Sequence, residues 1–143
     1  MSRGDPRPRS EYRAWRTIAT RWADNDAYGH VNNVVHYAWF DTAVNAWLLE
    51  AGLLDIGQGD PIGLVVETGC RYFAPLSFPE TADVGIAIAR LGTSSVTYRL
   101  GIFPEGQEGA AAEGEFTHVY VDRIGRKPRP LPDEWRATLE TLL

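Results

Sequence analysis

Residues 33–52 read NVVHYAWFDTAVNAWLLEAG, and this stretch decides the fold. It contains no Pro and no Gly before its last position, and it is rich in Ala, Trp and Leu. These features predict one long helix that starts at Asn33 and ends where Gly52 provides a C-terminal cap. Its polar residues are too few and too scattered to form a broad solvated face, so other parts of the chain must cover most of the helix.

Four segments rich in branched and aromatic residues follow this helix, and a fifth segment precedes it. Each of the four is bounded by Gly, Pro, Ser or Asp, which is typical of strands that end in turns. The fifth alternates apolar and polar residues, the period of a half-buried strand. The five segments are WRTIATRW (15–22), IGLVVETGCRYF (62–73), ADVGIAIARL (82–91), SVTYRLGIF (95–103) and AAEGEFTHVYV (111–121).

The connections between the last three strands, LGTSS and FPEGQEGA, suit antiparallel hairpins. The predicted fold is therefore of the α+β class, with an antiparallel sheet of about five strands wrapped round one long central helix. A short amphipathic helix over Trp135–Leu142 is predicted to close the chain, with Asp133 in the capping position.

The chain has 143 residues, 44% of them hydrophobic, which fits one compact domain and leaves no room for a second. We predict a flexible N-terminal segment over residues 1–12 and a single domain over residues 13–143. No apolar stretch reaches the length of a membrane span, and the N-terminus lacks the apolar region of a signal peptide. The expected location is the cytoplasm, with no membrane partner.

The net charge of −5 is unevenly distributed, because basic residues concentrate at the two ends and acidic residues dominate the middle. An acidic body repels the phosphate backbone, so nucleic acid is not an expected partner. A basic stretch after the last strand either binds a small phosphorylated ligand or is simply solvated; it comprises Arg123, Arg126, Lys127 and Arg129. The single cysteine, Cys70, has no basic neighbour in sequence and is assigned no catalytic role.

Residues 24–33, DNDAYGHVNN, place polar groups at the start of the apolar helix. The free N–H groups and the dipole at a helix N-terminus favour negative charge, as an oxyanion hole does. Asp26 lies a few residues upstream, so a turn can place its carboxylate opposite these donors. No Ser or Cys nucleophile is recognisable, so the electrophile must be as reactive as a thioester.

This stretch also suits two other interpretations. A purely structural turn that caps the helix is at least as common as a catalytic one for Asp and Asn. The run also begins like a calcium-binding loop, but Tyr28 replaces an oxygen ligand and Val35 stands where a bidentate Glu is required. His30 and His36 are six residues apart, a poor spacing for two ligands on one helix face. No metal and no cofactor is therefore expected.

The run RWADNDAYGHVNNVVHYAWFDTA resembles the signature of hotdog-fold acyl-CoA thioesterases of the 4-hydroxybenzoyl-CoA thioesterase-like family. In that family a D-x-x-G-H-V-N-N type stretch precedes the central helix, and an acidic residue follows within two turns, as Asp41 does here. The segment from Cys70 to Phe103 is similar to the family's Y-x-x-P strand and the two strands after it. The resemblance implies a hotdog fold and a thioester hydrolase.

The resemblance also implies roles for individual residues. Asp26 becomes the nucleophile or general base, Asn33 supplies the oxyanion-binding N–H, and Gly29 permits a tight turn and close approach of the thioester. His30 is either an auxiliary group or a structural histidine. The residues expected to contact substrate are Tyr28, Asn32, Glu67, Thr68, Arg126 and Lys127, of which Arg126 and Lys127 would hold coenzyme A phosphates.

The implied substrate is an acyl-CoA with a fatty or aromatic acyl group, or else an acyl-carrier protein. Long strands at the edges of the sheet predict a homodimer with a shared active site, in which Glu67 and Thr68 form the wall opposite the other subunit's Asp26. A further pairing into a homotetramer is also expected. Two alternatives remain open, a hotdog enoyl-CoA hydratase or dehydratase and a non-catalytic acyl-binding protein.

Overall fold

The computed structural model describes residues 4–143, and its elements follow the predicted order. The long helix α1 spans Asn33–Glu50. The strands are β1 (Ala14–Ala19), β2 (Ile62–Tyr72), β3 (Thr81–Leu91), β4 (Ser95–Pro104) and β5 (Ala112–Val121). A short helix α2 (Asp133–Leu139) and a single 3-10 turn over Glu140–Leu142 complete the chain.

The five strands form one sheet in the order β1-β3-β4-β5-β2, and every neighbouring pair is antiparallel. The helix α1 packs on one face of this sheet, and its buried side chains belong to the main hydrophobic core. The predicted α+β hotdog fold is confirmed. Within residues 4–143, no helix has the length and apolar character needed to cross a membrane.

Both ends of α1 lie where the sequence predicts them. The Asn32 side chain caps the first turn, since its Oδ1 accepts a hydrogen bond from the Val34 N–H at 3.0 Å. At the other end Gly52 adopts a φ of +77°, the left-handed conformation that glycine tolerates best. Midway along the helix the fully buried Phe40 ring occupies the space that a Cβ at Gly114 of β5 would need. The glycine therefore lets the helix approach the sheet closely.

Two local predictions are wrong. The strand before α1 ends at Ala19, and Trp22 begins a 3-10 turn that leads into the polar stretch. The C-terminal helix begins at Asp133 itself, with Pro132 as its N-cap residue and no side-chain capping bond. Proline sets φ near the helical value, so it starts this helix without a side-chain cap.

The division into a flexible segment 1–12 and a domain 13–143 stays a prediction, and residues 1–3 lie outside the described part of the chain. Residues 7–12 pack on the outer face of the sheet. Arg7 pairs with Glu113 at 3.2 Å, and Arg9 pairs with Asp83 at 3.0 Å. Tyr12 is 5% exposed and lies over Gly85, where no side chain blocks it.

A buried histidine on β5 gives folding stability a specific pH dependence. Burial lowers the pKa of His118 to about 4 from its ordinary 6.5. Because the unfolded chain binds this proton more readily, stability must fall as pH drops from 6.5 towards 4. We expect wild type to lose about 2 kcal/mol more than His118→Leu between pH 7 and pH 4.5. Urea unfolding at both pH values measures the difference, and equal losses would contradict it.

Candidate functional site

The predicted site begins with a tight turn between β1 and α1. The Gly29 N–H donates to the Asp26 carbonyl at 3.1 Å, and the Asp26 N–H donates to the His30 carbonyl at 2.8 Å. Gly29 has a φ of +77°, which a residue with a side chain adopts only with strain. No atom lies within 4 Å of the position of a Gly29 Cβ, so this glycine serves the turn and leaves the space beside it open.

The turn also fixes the Asp26 carboxylate. Its Oδ1 accepts a hydrogen bond from the Tyr28 N–H at 2.8 Å, the pattern of an Asx turn. Within residues 4–143 this is the one hydrogen bond to the carboxylate, so Oδ2 remains free to act on a ligand or a water molecule. The Asp26 side chain is half-buried. The carboxylate is thus held in place and accessible.

The first turn of α1 leaves one backbone donor unused. The Val34 N–H donates to the Asn32 side chain, and the Val35 N–H donates to the Asn32 carbonyl at 2.9 Å. The Asn33 N–H donates to no atom of the described chain. It lies at the positive end of an 18-residue helix, which is a favourable place for a developing negative charge.

Asp26 and Asn33 line the same open cavity of about 390 Å³. Its other wall is the segment after β2, which is fixed to the turn by the bond from the Val31 N–H to the Leu76 carbonyl at 2.7 Å. Further bonds come from the Ser77 hydroxyl to the Gly29 carbonyl at 2.8 Å and from the Phe78 N–H to Asn25. The structure thus brings together Asp26, His30 and Asn33.

Two residues of this cavity were not identified from the sequence as parts of the site. His36 is buried, and burial lowers the pKa of its imidazole, so the ring is neutral at pH 7. The Tyr72 ring packs edge-on against the His36 ring, with 4.9 Å between the ring centroids. Its hydroxyl donates a hydrogen bond to the Asn33 carbonyl at 2.9 Å. The hydroxyl holds the peptide unit that follows Asn33. The sequence signals were a polar side chain within an apolar helix for His36 and the Y-x-x-P strand motif for Tyr72.

Other predicted contact residues lie elsewhere in the chain. The Tyr28 side chain is 84% exposed and does not line the cavity, and the Asn32 side chain is used in capping α1. Glu67 and Thr68 line a separate polar cavity of about 360 Å³, beside the ion pairs that Arg7 and Arg71 make with Glu113. Within one chain, these two residues do not meet Asp26.

The basic stretch lies at the opposite end of β2 from the candidate site. It follows β5, whose last residue pairs with Ile62 at the start of β2, whereas the site lies beyond Tyr72 at the end of β2. Arg123 and Arg129 are held by the loop before β2 through bonds to Asp60. Two further cations, Arg126 and Lys127, are exposed and make no ion pair within residues 4–143.

A transition-metal or calcium centre has no support in the side chains that the structure describes. Across residues 4–143, no group of three or more His, Cys, Asp or Glu side chains is arranged to hold a metal ion. His36 has its Nδ1 beside the Asn32 carbonyl at 3.3 Å and faces Tyr72 rather than a second ligand.

A comparison with protein families shows the superfamily of the chain. A model described as the thioesterase-like superfamily matches residues 20–139. The chain belongs to this superfamily. The match includes the Asp26 turn, all of α1 and strands β2 to β5, so the candidate site lies inside it. None of the curated proteins with which this thioesterase-like chain was compared matches it in sequence.

Solved structures resemble the thioesterase-like chain over most of its length. A protein from Pseudomonas aeruginosa strain PAO1 is 52% identical, with 94% of each chain covered and a TM-score of 0.91. A proposed thioesterase from the same species is 29% identical, with 90% of this chain and 98% of that chain covered and a TM-score of 0.83. A 1,4-dihydroxy-2-naphthoyl-CoA thioesterase from Synechocystis is 22% identical, with 87% and 93% covered and a TM-score of 0.79, and shares the fold.

Proposed function

We propose that this thioesterase-like chain is an acyl-CoA thioesterase of the 4-hydroxybenzoyl-CoA thioesterase-like family. The observation that carries the proposal is the cavity that Asp26 and Asn33 both line, together with the unused Asn33 N–H. Hydrolysis of a thioester needs a group that attacks the carbonyl carbon or activates water to do so. It also needs a donor that stabilises the negative charge that forms on the carbonyl oxygen. Superfamily membership supports the same class of reaction.

The mechanism follows from these two groups. The thioester carbonyl oxygen accepts a hydrogen bond from the Asn33 N–H, and attack on the carbonyl carbon moves a pair of electrons onto that oxygen. The oxyanion then collapses and the carbon–sulfur bond breaks, which releases coenzyme A as a thiolate. The attacking atom is either Asp26 Oδ2, giving a mixed anhydride that water hydrolyses, or a water molecule that gives its proton to Asp26.

His36, Tyr72 and His30 have supporting places in this mechanism. The Tyr72 hydroxyl fixes the Asn33 carbonyl, and neutral His36 packs against the Tyr72 ring without adding positive charge. His30 is exposed at the rim of the cavity and is a positioning group for the substrate or the attacking water. Gly29 keeps the turn tight so that the thioester approaches Asp26 closely.

Three features of the substrate and its setting remain proposals. The acyl group is fatty or aromatic, and its carrier is coenzyme A or an acyl-carrier protein. The expected location in the cytoplasm stays a prediction.

A hydratase or dehydratase is the second candidate, because Asp26 and His30 line the same cavity and such enzymes use an Asp and a His. A non-catalytic acyl-binding protein is the third. Saturated and 2-enoyl-CoA substrates of several lengths separate the three when free thiol and loss of the enoyl double bond are measured independently. The thioesterase predicts thiol release from both classes. Loss of the double bond without thiol release would establish the hydratase, and tight binding with neither would establish the binding protein.

The two free cations of the basic stretch are predicted to hold coenzyme A phosphates. Replacing Arg126 and Lys127 together by Gln should raise KM by roughly 3- to 10-fold and change kcat little, since exposed charge pairs contribute up to about 1 kcal/mol each. The KM of the variant should also depend less on salt. Arg90→Gln, which removes an exposed cation at the end of β3, is the matched control. An unchanged KM in the double variant would place the phosphates elsewhere.

We further propose that the chain forms a homodimer through the edge strand β2. This strand pairs on one side with β5 and exposes Val65 and Val66 to 48% and 59%. Antiparallel pairing of two β2 strands would bring the start of one beside the end of the other. The partner subunit's Arg126 and Lys127 would then approach Asp26, and Glu67 and Thr68 would line the junction. A second pairing would give a homotetramer.

Light scattering of an active preparation at micromolar concentration tests this assembly. A mass about twice or four times the 15.9 kDa of one chain is expected. The variant Val66→Lys, which places a charge on the exposed part of β2, should lower both the mass and the activity together. An active species of 15.9 kDa would contradict a shared active site.

A further inference from the structure

A third cavity lies at the opposite end of α1 from Asp26, beside the C-terminal end of the helix. It has a volume of about 380 Å³ and is lined by residues from α1, the loop before β2, β2, β5 and α2. Apolar side chains such as Leu48, Leu53 and Trp135 form much of its wall. We name it the His118 cavity, because that histidine is its buried polar group. A cavity of this size and composition is typical of small-molecule sites.

His118 is an unusual residue for this position. It points inward from β5 between Phe116 and Tyr120. Its ring lies edge-on to three aromatic rings, with centroid distances of 5.8 Å to Tyr98, 5.1 Å to Phe116 and 6.0 Å to Tyr120. The side chain is 3% exposed, and Nδ1 has no hydrogen-bond partner within the described chain. A buried polar atom without a partner is costly, so an apolar residue would suit a purely structural core better.

Gly63 on the neighbouring strand lets the His118 ring pack closely on the sheet. A Cβ at Gly63 would lie 3.1 Å from His118 Nδ1 and 3.2 Å from Tyr120 Cζ, closer than ordinary packing allows. Gly63, His118 and Tyr120 all line the cavity. The glycine therefore lets the imidazole and the Tyr120 ring lie directly against the β2 backbone at the cavity wall, and a ligand atom reaches Nδ1 when these two rings shift.

The charge of the cavity limits the ligand. The imidazole is neutral at pH 7 because burial lowers the pKa of His118 to about 4. A neutral imidazole offers one donor and one acceptor but no positive charge. Asp55 also lines the cavity, makes no ion pair within residues 4–143 and disfavours an anion, whereas Asp60 is paired with Arg129. The apolar part of the wall and the one buried imidazole suit a compact apolar molecule that carries an uncharged polar atom.

We propose that the His118 cavity binds the far end of the acyl group, and that His118 selects acyl groups that end in a neutral hydroxyl or carbonyl. This inference rests on the proposed function for the identity of the ligand, and on the β2-paired dimer for its position. In that dimer the start of β2, where Gly63 lies, comes beside the partner's Asp26. The hydroxyl or carbonyl would satisfy His118, which has no other partner for Nδ1.

Binding is tested without any hydrolysis by using p-cresol and toluene, which differ by one hydroxyl. The chain has three histidines, so the imidazole NMR signals of His118 are assigned by comparison with His118→Leu. We expect p-cresol to shift the His118 signals and to bind at least 10-fold more tightly than toluene. Gly63→Ala keeps the histidine but crowds its ring against β2, and should weaken p-cresol binding. Equal binding of the two probes, or no shift at His118, would overturn the proposal.

Selectivity is tested with phenylacetyl-CoA and 4-hydroxyphenylacetyl-CoA. Wild type should favour the hydroxylated substrate by at least 10-fold in kcat/KM, and this ratio should fall towards one in His118→Leu. Hydrolysis of both substrates at equal kcat/KM would overturn the role of His118 and leave the proposed thioesterase intact. Binding of p-cresol at His118 without hydrolysis of any thioester in a panel of fatty and aromatic acyl-CoAs would overturn the proposed thioesterase and support the His118 cavity as a ligand site.

Discussion

Replacing Asp26 by Asn is expected to lower kcat by about 100-fold or more, the usual scale for loss of a nucleophile or general base. The substitution keeps the shape of the side chain and its Oδ1, which accepts the Tyr28 N–H and fixes the turn. It removes the negative charge and the free carboxylate oxygen that would attack the thioester or take a proton from water. The rate of free thiol release at saturating acyl-CoA measures the loss.

Asp24→Asn is the control for this prediction. Asp24 is 1% exposed, and its carboxylate accepts the Arg21 N–H at 2.8 Å and the Arg21 guanidinium at 2.7 Å. These bonds shape the 3-10 turn and do not reach the cavity. The control should lose thermal stability and much less of its kcat than the Asp26 variant. Similar activities for wild type and Asp26→Asn would end the assignment of Asp26.

Replacing Asn33 by Pro is expected to lower kcat by roughly 100- to 1,000-fold, the usual effect of removing one oxyanion-hole donor. Proline lacks an N–H and is well tolerated at the first position of a helix. The preceding Asn32 has φ −60° and ψ 137°, a conformation that a residue before proline adopts readily. Since the Asn33 N–H has no partner in the described chain, its removal breaks no bond of the fold.

The matched variant Asn33→Ala keeps the backbone N–H and removes the side chain. It should retain most of the activity if the backbone donor is the active group. Circular dichroism and thermal unfolding check that both variants fold. Equal losses of kcat in Asn33→Pro and Asn33→Ala would assign the effect to the side chain, and an active Asn33→Pro would exclude this N–H as the oxyanion donor.

The fold was predictable because its signals are local. The polar stretch before Asn33 and the glycine at position 52 mark the two ends of α1, and the turn residues between apolar segments separate the strands. The start of the last helix was misplaced because Asp133 has the composition of a cap, while the preceding proline takes that position. Composition alone does not distinguish the two arrangements.

The first half of the candidate site was also accessible from sequence, because Asp26, His30 and Asn33 lie within one short stretch. The other half was not. Tyr72 reaches Asn33 from 39 positions further along the chain, so the contact depends on how β2 ends against α1. The sequence spacing of His36 did not distinguish a metal ligand from a buried neutral group. Its burial in the structure favours the neutral group.

Residues proposed to act across two subunits are the least accessible to sequence reasoning. Glu67 and Thr68 lie on an edge strand, and within one chain they face a polar cavity that excludes Asp26. Their role depends on which edge pairs with a second copy and in which register. The resemblance to hotdog thioesterases implies that Glu67 and Thr68 form a wall opposite the Asp26 of the partner subunit. Pairing of two chains through the β2 edge would place these two residues at that wall.

The most direct measurement is the rate of coenzyme A release from a panel of acyl-CoA thioesters by wild type and by Asp26→Asn, each purified as a folded protein. The proposed function predicts release by wild type from at least one acyl-CoA and a decrease of about 100-fold or more in the variant. Absence of release from every thioester in the panel, or equal release by the two chains, would contradict hydrolysis at Asp26.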